Sequence, residues 1–324
     1  MLLDVRDLRV EFRMRDGVAR AVDGVSYRVD AGRTLAVLGE SGSGKSVTAQ
    51  AVLGILDVPP ARITGGEILF QGRDLLKLKE EERRRIRGAE LAMVFQDALS
   101  ALNPVLTVGD QLGEMFVVHR GLSRKDARVR AVELMDRVRI PGAAQRVRDY
   151  PHQFSGGMRQ RIMIAMALAL EPALVIADEP TTALDVTVQA QVMDLLAELQ
   201  RESTTGLVLI THDLGVVADV ADTIAVMYAG RIVESAPVHD LYKAPAHPYT
   251  RGLLDSVPRL GQKGRELYAI KGQPPNLLHV PSGCAFHPRC PMARDVCRTD
   301  EPPPYTAGED RTSACHFWRE CLHG

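Results

Sequence analysis

The sequence predicts an α/β fold: a mixed core sheet with parallel strands, a separate antiparallel β layer, a helical subdomain and a small C-terminal extension. Three observations carry this. Short apolar runs alternate with helical stretches through much of the first 235 residues. A long segment after Phe95 offers no strand until Leu174. All five cysteines fall at or after Cys284, in a stretch punctuated by proline.

The elements follow in chain order. Val5–Phe12 and Ala21–Val29 read as strands with polar positions interleaved. With Glu67–Phe70 they suit the antiparallel layer. Thr34–Leu38 is a short apolar run closed by Gly39, the pattern of a buried strand. Leu91–Phe95, Leu174–Ala177, Leu207–Ile210 and Thr223–Met227 share that texture. Lys45–Leu56, Ser123–Arg139, Gly157–Leu170 and Val186–Glu202 have helical length and apolar spacing. The stretch from about 97 to 167 reads as a helical subdomain inserted in a domain spanning 1–235. From 236 to 324 the texture changes, with eight prolines between Pro237 and Pro288. The cysteines and scattered aromatics there favour a small ordered extension over a disordered tail.

Composition excludes several classes. The 324 residues carry 40 Lys+Arg against 41 Asp+Glu, for a net charge of -1. That balance argues against a general nucleic-acid binder. No apolar run approaches the ~20 residues that cross a bilayer, and Met1–Asp7 lacks the start of a signal peptide. A cytoplasmic chain that reaches a membrane only through a partner is expected. Cysteines confined to one end do not fit a secreted disulfide scaffold.

Gly39-Glu40-Ser41-Gly42-Ser43-Gly44-Lys45-Ser46, followed by Val47, matches the phosphate-binding pattern GxxxxGK[ST] between a strand and a helix. Glycines let backbone N–H groups wrap phosphate oxygens, and the helix N-terminus adds its dipole. Lys45 suits the β- and γ-phosphates and the Ser46 hydroxyl suits Mg²⁺; a glycine turn that binds nothing is the bland alternative. Leu174–Ala177 is followed by Asp178 and Glu179, at the strand end where α/β sheets bind ligands. Asp178 is the candidate holder of the Mg²⁺ shell and Glu179 the candidate general base. Taken alone, the pair could equally cap a helix before Pro180. Phe154-Ser155-Gly156-Gly157-Met158-Arg159-Gln160 precedes a helix, and by itself makes a good N-cap.

Together these motifs resemble the nucleotide-binding subunits of ATP-binding-cassette transporters over about residues 1–235. Ser155, Gly156, Gly157 and Met158 look like that family's signature, usually LSGGQ and here FSGGM. The fold implied is a P-loop ABC ATPase cassette. The resemblance implies that Gln96 touches Mg²⁺ and couples to membrane subunits. It also implies that Thr182-Ala183-Leu184-Asp185 is the D-loop at a dimer interface, with Asp185 there, and that His212 contacts the γ-phosphate. Phe12 lies where the family stacks an aromatic on adenine, though it equally suits a strand core. Two such subunits would sandwich two ATP molecules, each signature facing the partner's γ-phosphate, so that binding closes the dimer and hydrolysis opens it.

Ala246-His247-Pro248-Tyr249-Thr250, Gly272-Gln273-Pro274-Pro275 and Cys284–Pro291 resemble the C-terminal extension of oligopeptide and dipeptide importer ATPases. That resemblance implies a second, different ATPase subunit, two transmembrane permeases, an extracytoplasmic peptide-binding protein, and no nucleic-acid partner. Nickel importers share parts of the extension and are the alternative substrate class. A soluble ABC ATPase of DNA repair or translation is a more distant rival, because no tandem cassette or coiled-coil insertion is present. A regulatory module without turnover is opposed by Lys45, Asp178, Glu179 and His212 together.

Cys284, Cys290, Cys297 and Cys315 lack the close pair usual in zinc sites. Their wide spacing suits an iron–sulfur cluster better, and the family resemblance implies [4Fe–4S]. Zinc and unliganded thiols remain alternatives, with His287 and His316 as substitute ligands and Cys321 as a spare near a flexible end.

Overall fold

The computed structural model describes residues 1–182, 184–256 and 269–323. Ala183 of the expected D-loop therefore lies outside the described residues. The chain forms two compact units: Met1–Leu2, Val29–Arg33 and Lys77–Ile210 in the first, and Leu3–Arg28, Thr34–Leu76 and Thr211–Gly324 in the second.

The first unit is built on parallel strands Leu91–Val94, Leu174–Asp178 and Gly206–Ile210, paired Leu91↔Leu174 and Asp178↔Ile210. Every residue in these strands is buried. That is why they read as continuous apolar runs instead of alternating ones. The longer helices of this unit begin where the chain supplies oxygen caps. Ser123 opens Arg124–Arg137 and Ser155 opens Gly156–Leu168. Asp185 opens Val186–Ser203 in the same way, each side chain accepting from the backbone N–H three residues on. The helix Val108–Arg120 starts at Thr107 and stops at Gly121, whose φ of 66° closes the last turn. Gly109 in that helix is required by a close approach. Its N–H donates to the Val147 carbonyl at 2.8 Å, and a Cβ there would lie 2.5 Å from the same oxygen.

The second unit holds an antiparallel sheet in the order Gly17–Val29, Leu3–Met14, Ala61–Phe70, Arg73–Asp74. The register runs from Leu3↔Phe70 to Phe12↔Ala61. The third strand thus begins six residues before the Glu67 start that its apolar pattern suggests. The same unit pairs Thr34–Leu38 in parallel with Thr223–Tyr228. Antiparallel Arg231–Pro237, Arg311–Ser313 and Tyr305–Gly308 continue it. These last three strands are absent from the sequence reading. Their polar residues hide them: Glu234 is fully buried, accepts the Ala246 N–H at 2.7 Å and pairs with Arg311 at 3.0 Å. Tyr228, Tyr249 and Phe286 form an aromatic core beneath, with ring centroids 4.6–5.2 Å apart. Among the described residues no helix is long and apolar enough to cross a membrane.

Candidate nucleotide site

In the second unit the strand Thr34–Leu38 runs into the loop Gly39–Gly44 and the helix Lys45–Leu53. Backbone conformation explains the glycines. Gly39 and Gly44 have φ of 153° and 103°, and a Cβ at either would come within 2.3 Å of the Met227 or Ala21 carbonyl oxygen. Gly42 (φ 79°) faces open space. Lys45 is buried and folds back over the loop, donating to the Gly39 and Glu40 carbonyls at 2.8 and 3.0 Å. The Ser43 hydroxyl is buried with no hydrogen-bond partner among the described residues. Such an orphan is costly unless a ligand satisfies it. A loop whose backbone and close packing require glycine, a cation bent over it and an orphaned hydroxyl together fit a phosphate ligand. Ser41 is exposed, and Ser46 and Val47 are half-buried on the first helical turn.

Asp178 and Glu179 end a strand of the first unit. Asp178 is 4% exposed, and its carboxylate is a hard oxygen donor of the type Mg²⁺ takes. Glu179 departs from the strand with φ 46°, its N–H held by the Ile210 carbonyl at 2.8 Å. That turn aims its carboxylate at two donors, the Thr182 hydroxyl at 2.8 Å and Gln96 Nε2 at 3.1 Å. Two of the predicted site residues, Gln96 and Glu179, are thus in direct contact. Gln160, at the end of the signature stretch, has a role that its sequence position does not announce. It is buried, and donates to the Pro180 carbonyl at 2.5 Å, tying the signature helix to the turn after Glu179.

Ser155 and Gly156 are exposed, Gly157 and Met158 half-buried. The Ser155 hydroxyl caps the Met158 N–H at 3.3 Å. The departure from the usual leucine puts Phe154 in the core, with the Arg146 guanidinium 4.1 Å above its ring. Asp185 is the N-cap of Val186–Ser203, which gives it a structural duty beside any interface role. In the second unit His212 is exposed after the buried Thr211, and Phe12 is half-buried on its strand.

Sequence reasoning misses two residues that touch the phosphate loop. Tyr249 and Arg289 both contact Glu40, from more than 200 positions along the chain. No local pattern signals this.

The cysteine expectation is corrected. Among the described residues no group of three or more His, Cys, Asp or Glu side chains is arranged to hold a metal ion, so the [4Fe–4S] assignment does not stand. All five cysteines are free thiols. Burial pushes Cys284 and Cys290 up to about 11, and a hydrogen bond with Cys321 together with burial raises Cys315. The would-be substitute ligands bond to backbone: His287 Nδ1 meets the Cys284 carbonyl and His316 Nε2 the Asp300 carbonyl, each at 3.0 Å. Cys321 is 1% exposed in the helix Trp318–His323, with its sulfur 3.8 Å from that of Met292. It is a core residue, not a spare at a loose end. Both the spacing and the family resemblance misled here, because burial of neutral thiols leaves the same sequence trace as ligation.

The comparisons agree with the geometry. Residues 22–182 match the family model described as ABC transporter, and residues 233–297 that described as oligopeptide/dipeptide transporter, C-terminal region. The chain is 51% identical over 314 residues to the dipeptide transport ATP-binding protein DppD of Bacillus subtilis, covering 97% of this chain and 94% of that one. It is 50% identical to the oligopeptide transport ATP-binding protein OppD of Salmonella typhimurium, over 97% and 93%. Among solved structures it is similar to the dimeric ATP-binding cassette MJ0796 bound to ADP and Pi. That match has a TM-score of 0.65 at 26% identity and covers 73% of this chain and 98% of that chain. The glycine-cradled loop, the strand-end acids and the near full-length likeness converge: this chain belongs to the family of ATP-binding proteins of dipeptide and oligopeptide transport.

Proposed function

We propose that the chain hydrolyses ATP to power import of dipeptides or oligopeptides, as a peripheral subunit on the cytoplasmic face of a membrane importer. One observation carries the reading. The glycine-cradled loop, with its orphaned Ser43 hydroxyl and folded-back Lys45, occurs in a chain half identical, over nearly its whole length, to a dipeptide transport ATP-binding protein.

The roles follow from residue chemistry. The loop residues Gly39–Ser46 and Val47 bind phosphates, and Lys45 moves from loop carbonyls to phosphate oxygens. Phe12 meets the adenine. Ser46, Gln96 and Asp178 are the residues that would hold Mg²⁺, which would supply charge neutralisation to the nucleotide's phosphates. Glu179 takes a proton from the attacking water, and the Thr182 and Gln96 contacts hold its carboxylate in one orientation. His212 stabilises the γ-phosphate. Ser155, Gly156, Gly157 and Met158 meet the nucleotide of a second ATPase subunit, with Asp185 at the interface. That second subunit is a different chain. Two transmembrane permeases and an extracytoplasmic peptide-binding protein complete the importer. Residues 1–235 form the nucleotide-binding domain, with its helical subdomain at about 97–167, and 236–324 the extension.

Uptake of a radiolabelled dipeptide and a labelled pentapeptide into cells lacking the subunit tests this. Loss of peptide uptake, restored by the wild-type chain, is the expected result. Intact peptide uptake with a selective nickel defect overturns it.

A further inference from the structure

Glu40 is the second residue of the phosphate loop, and the C-terminal stretch grips it by both backbone and side chain. Its N–H donates to the Tyr249 hydroxyl at 2.9 Å. Its carboxylate accepts from both terminal nitrogens of Arg289, at 2.6 and 2.9 Å. This is the parallel two-bond fork that gives guanidinium–carboxylate pairs their strength and direction. The pair is not a loose surface contact: the Arg289 side chain is 6% exposed and that of Glu40 27%. Arg289 is itself held in place. Its Nε donates to the Lys271 carbonyl at 3.0 Å, Nη1 reaches the Tyr228 hydroxyl at 3.4 Å, and its guanidinium lies 5.8 Å from the Tyr228 ring centroid. Tyr249 is fully buried. Beside the pair, Pro274, Pro275 and Leu277 line a cavity of about 420 Å³ together with Ser41, Gly42 and Ser43 of the loop.

Two consequences follow. A carboxylate inside an anion-binding loop repels a triphosphate unless a cation cancels it. Arg289 is that cation, and it is too buried to be exchanged for solvent. The Glu40 N–H is committed to the Tyr249 hydroxyl and the Glu40 carbonyl accepts the Ser43 N–H at 3.2 Å, so the start of the loop is fixed at both ends of this residue. We propose that Arg289 and Tyr249 are positioning residues of the ATP site, which neutralise and immobilise Glu40 and so make ATP affinity depend on the C-terminal stretch. This deepens the ATPase reading above and rests on it.

The test uses the full chain and titrates ATP against wild type, R289Q, E40Q and the double variant, with KM and kcat measured in the assembled importer. R289Q is expected to weaken ATP binding about tenfold, raising KM by the same factor with kcat within about twofold. E40Q/R289Q is expected to return to within about threefold of wild type, because the repelling carboxylate is gone. Y249F is expected to weaken binding less than R289Q. Unchanged affinity in R289Q overturns the inference. So does a double variant as impaired as R289Q, since a purely structural Arg289 would not be rescued by removing a second side chain. If R289Q does not fold, the double variant decides: near wild-type affinity supports the inference and tenfold weaker affinity overturns it. Wild-type chain that binds no ATP overturns the ATPase reading itself; wild-type binding with R289Q unaffected overturns the positioning role alone.

Discussion

At the residue scale the sharpest expectation concerns Glu179. Its positive φ aims the carboxylate, and Thr182 and Gln96 hold one of its oxygens. Glu179→Gln keeps the volume and the Thr182 contact but removes the basic oxygen pair. ATP binding is expected to persist within a few-fold while turnover falls by about 100-fold or more. Single-turnover hydrolysis beside a nucleotide titration separates the two, and near-normal turnover would remove Glu179 from the general-base role. Residues of this kind were legible because chemistry limits their types. A loop at φ 79–153° demands glycine, and a strand-end acid pair is unusual on a buried strand. Arg289 and Tyr249 were not legible. Their partner is fixed by tertiary contact, and an arginine or a tyrosine in a proline-rich stretch has many other uses.

At the element scale two glycines predict opposite outcomes. Gly109 sits where the helix Val108–Arg120 meets the Val147 backbone, and an alanine Cβ would lie 2.5 Å from a carbonyl oxygen and 2.4 Å from Val147 Cγ2. Backbone cannot yield as a flexible side chain can. Gly109→Ala is therefore expected to destabilise by about 1–3 kcal/mol, read as a lower unfolding midpoint. Gly156 opens the signature helix with ordinary helical backbone, and a Cβ added there would meet nothing within 4 Å. Gly156→Ala is expected to keep the wild-type midpoint yet lose ATP hydrolysis at least about tenfold, through crowding of the partner's nucleotide. A lowered midpoint, or normal hydrolysis, would remove that signature role. Elements differ in legibility for a related reason. Leu174–Asp178 is buried on both faces and declares itself by composition. Arg231–Pro237 and Arg311–Ser313 pair across more than 70 positions and bury a Glu–Arg pair, so their sequences read as surface.

At the scale of the whole molecule, the buried polar groups of the second unit link stability to pH. His247 is 1% exposed, caps the helix Pro248–Asp255 by accepting the Tyr249 N–H at Nδ1, and lies 5.9 Å from the Phe286 ring. Loss of hydration holds its pKa down at about 3, against an ordinary 6.5. Four thiols line the same cavity as His247, namely Cys284, Cys290, Cys297 and Cys315; burial pushes Cys284 and Cys290 up to about 11 and Cys315 is raised as well, so these three offer no anion to stabilise an imidazolium. The unfolded chain therefore binds a proton between pH 6.5 and 3 that the folded chain refuses. This contribution is fully present above pH 6.5 and is lost as pH falls toward 3, by about 2 kcal/mol between pH 7 and 5. Glu234 acts in the opposite sense. Burial raises its pKa above 4.5 in the folded chain, so its contribution falls as pH rises from there. Both wild type and His247→Asn contain Glu234, so their difference isolates the histidine. Asparagine can still cap the helix but cannot titrate. Urea unfolding of the full chain at pH 7 and pH 5 is expected to show the wild type losing about 2 kcal/mol more than the variant over that interval. Equal losses would mean that His247 is protonated inside the fold, and that the extension opens to water well above pH 5.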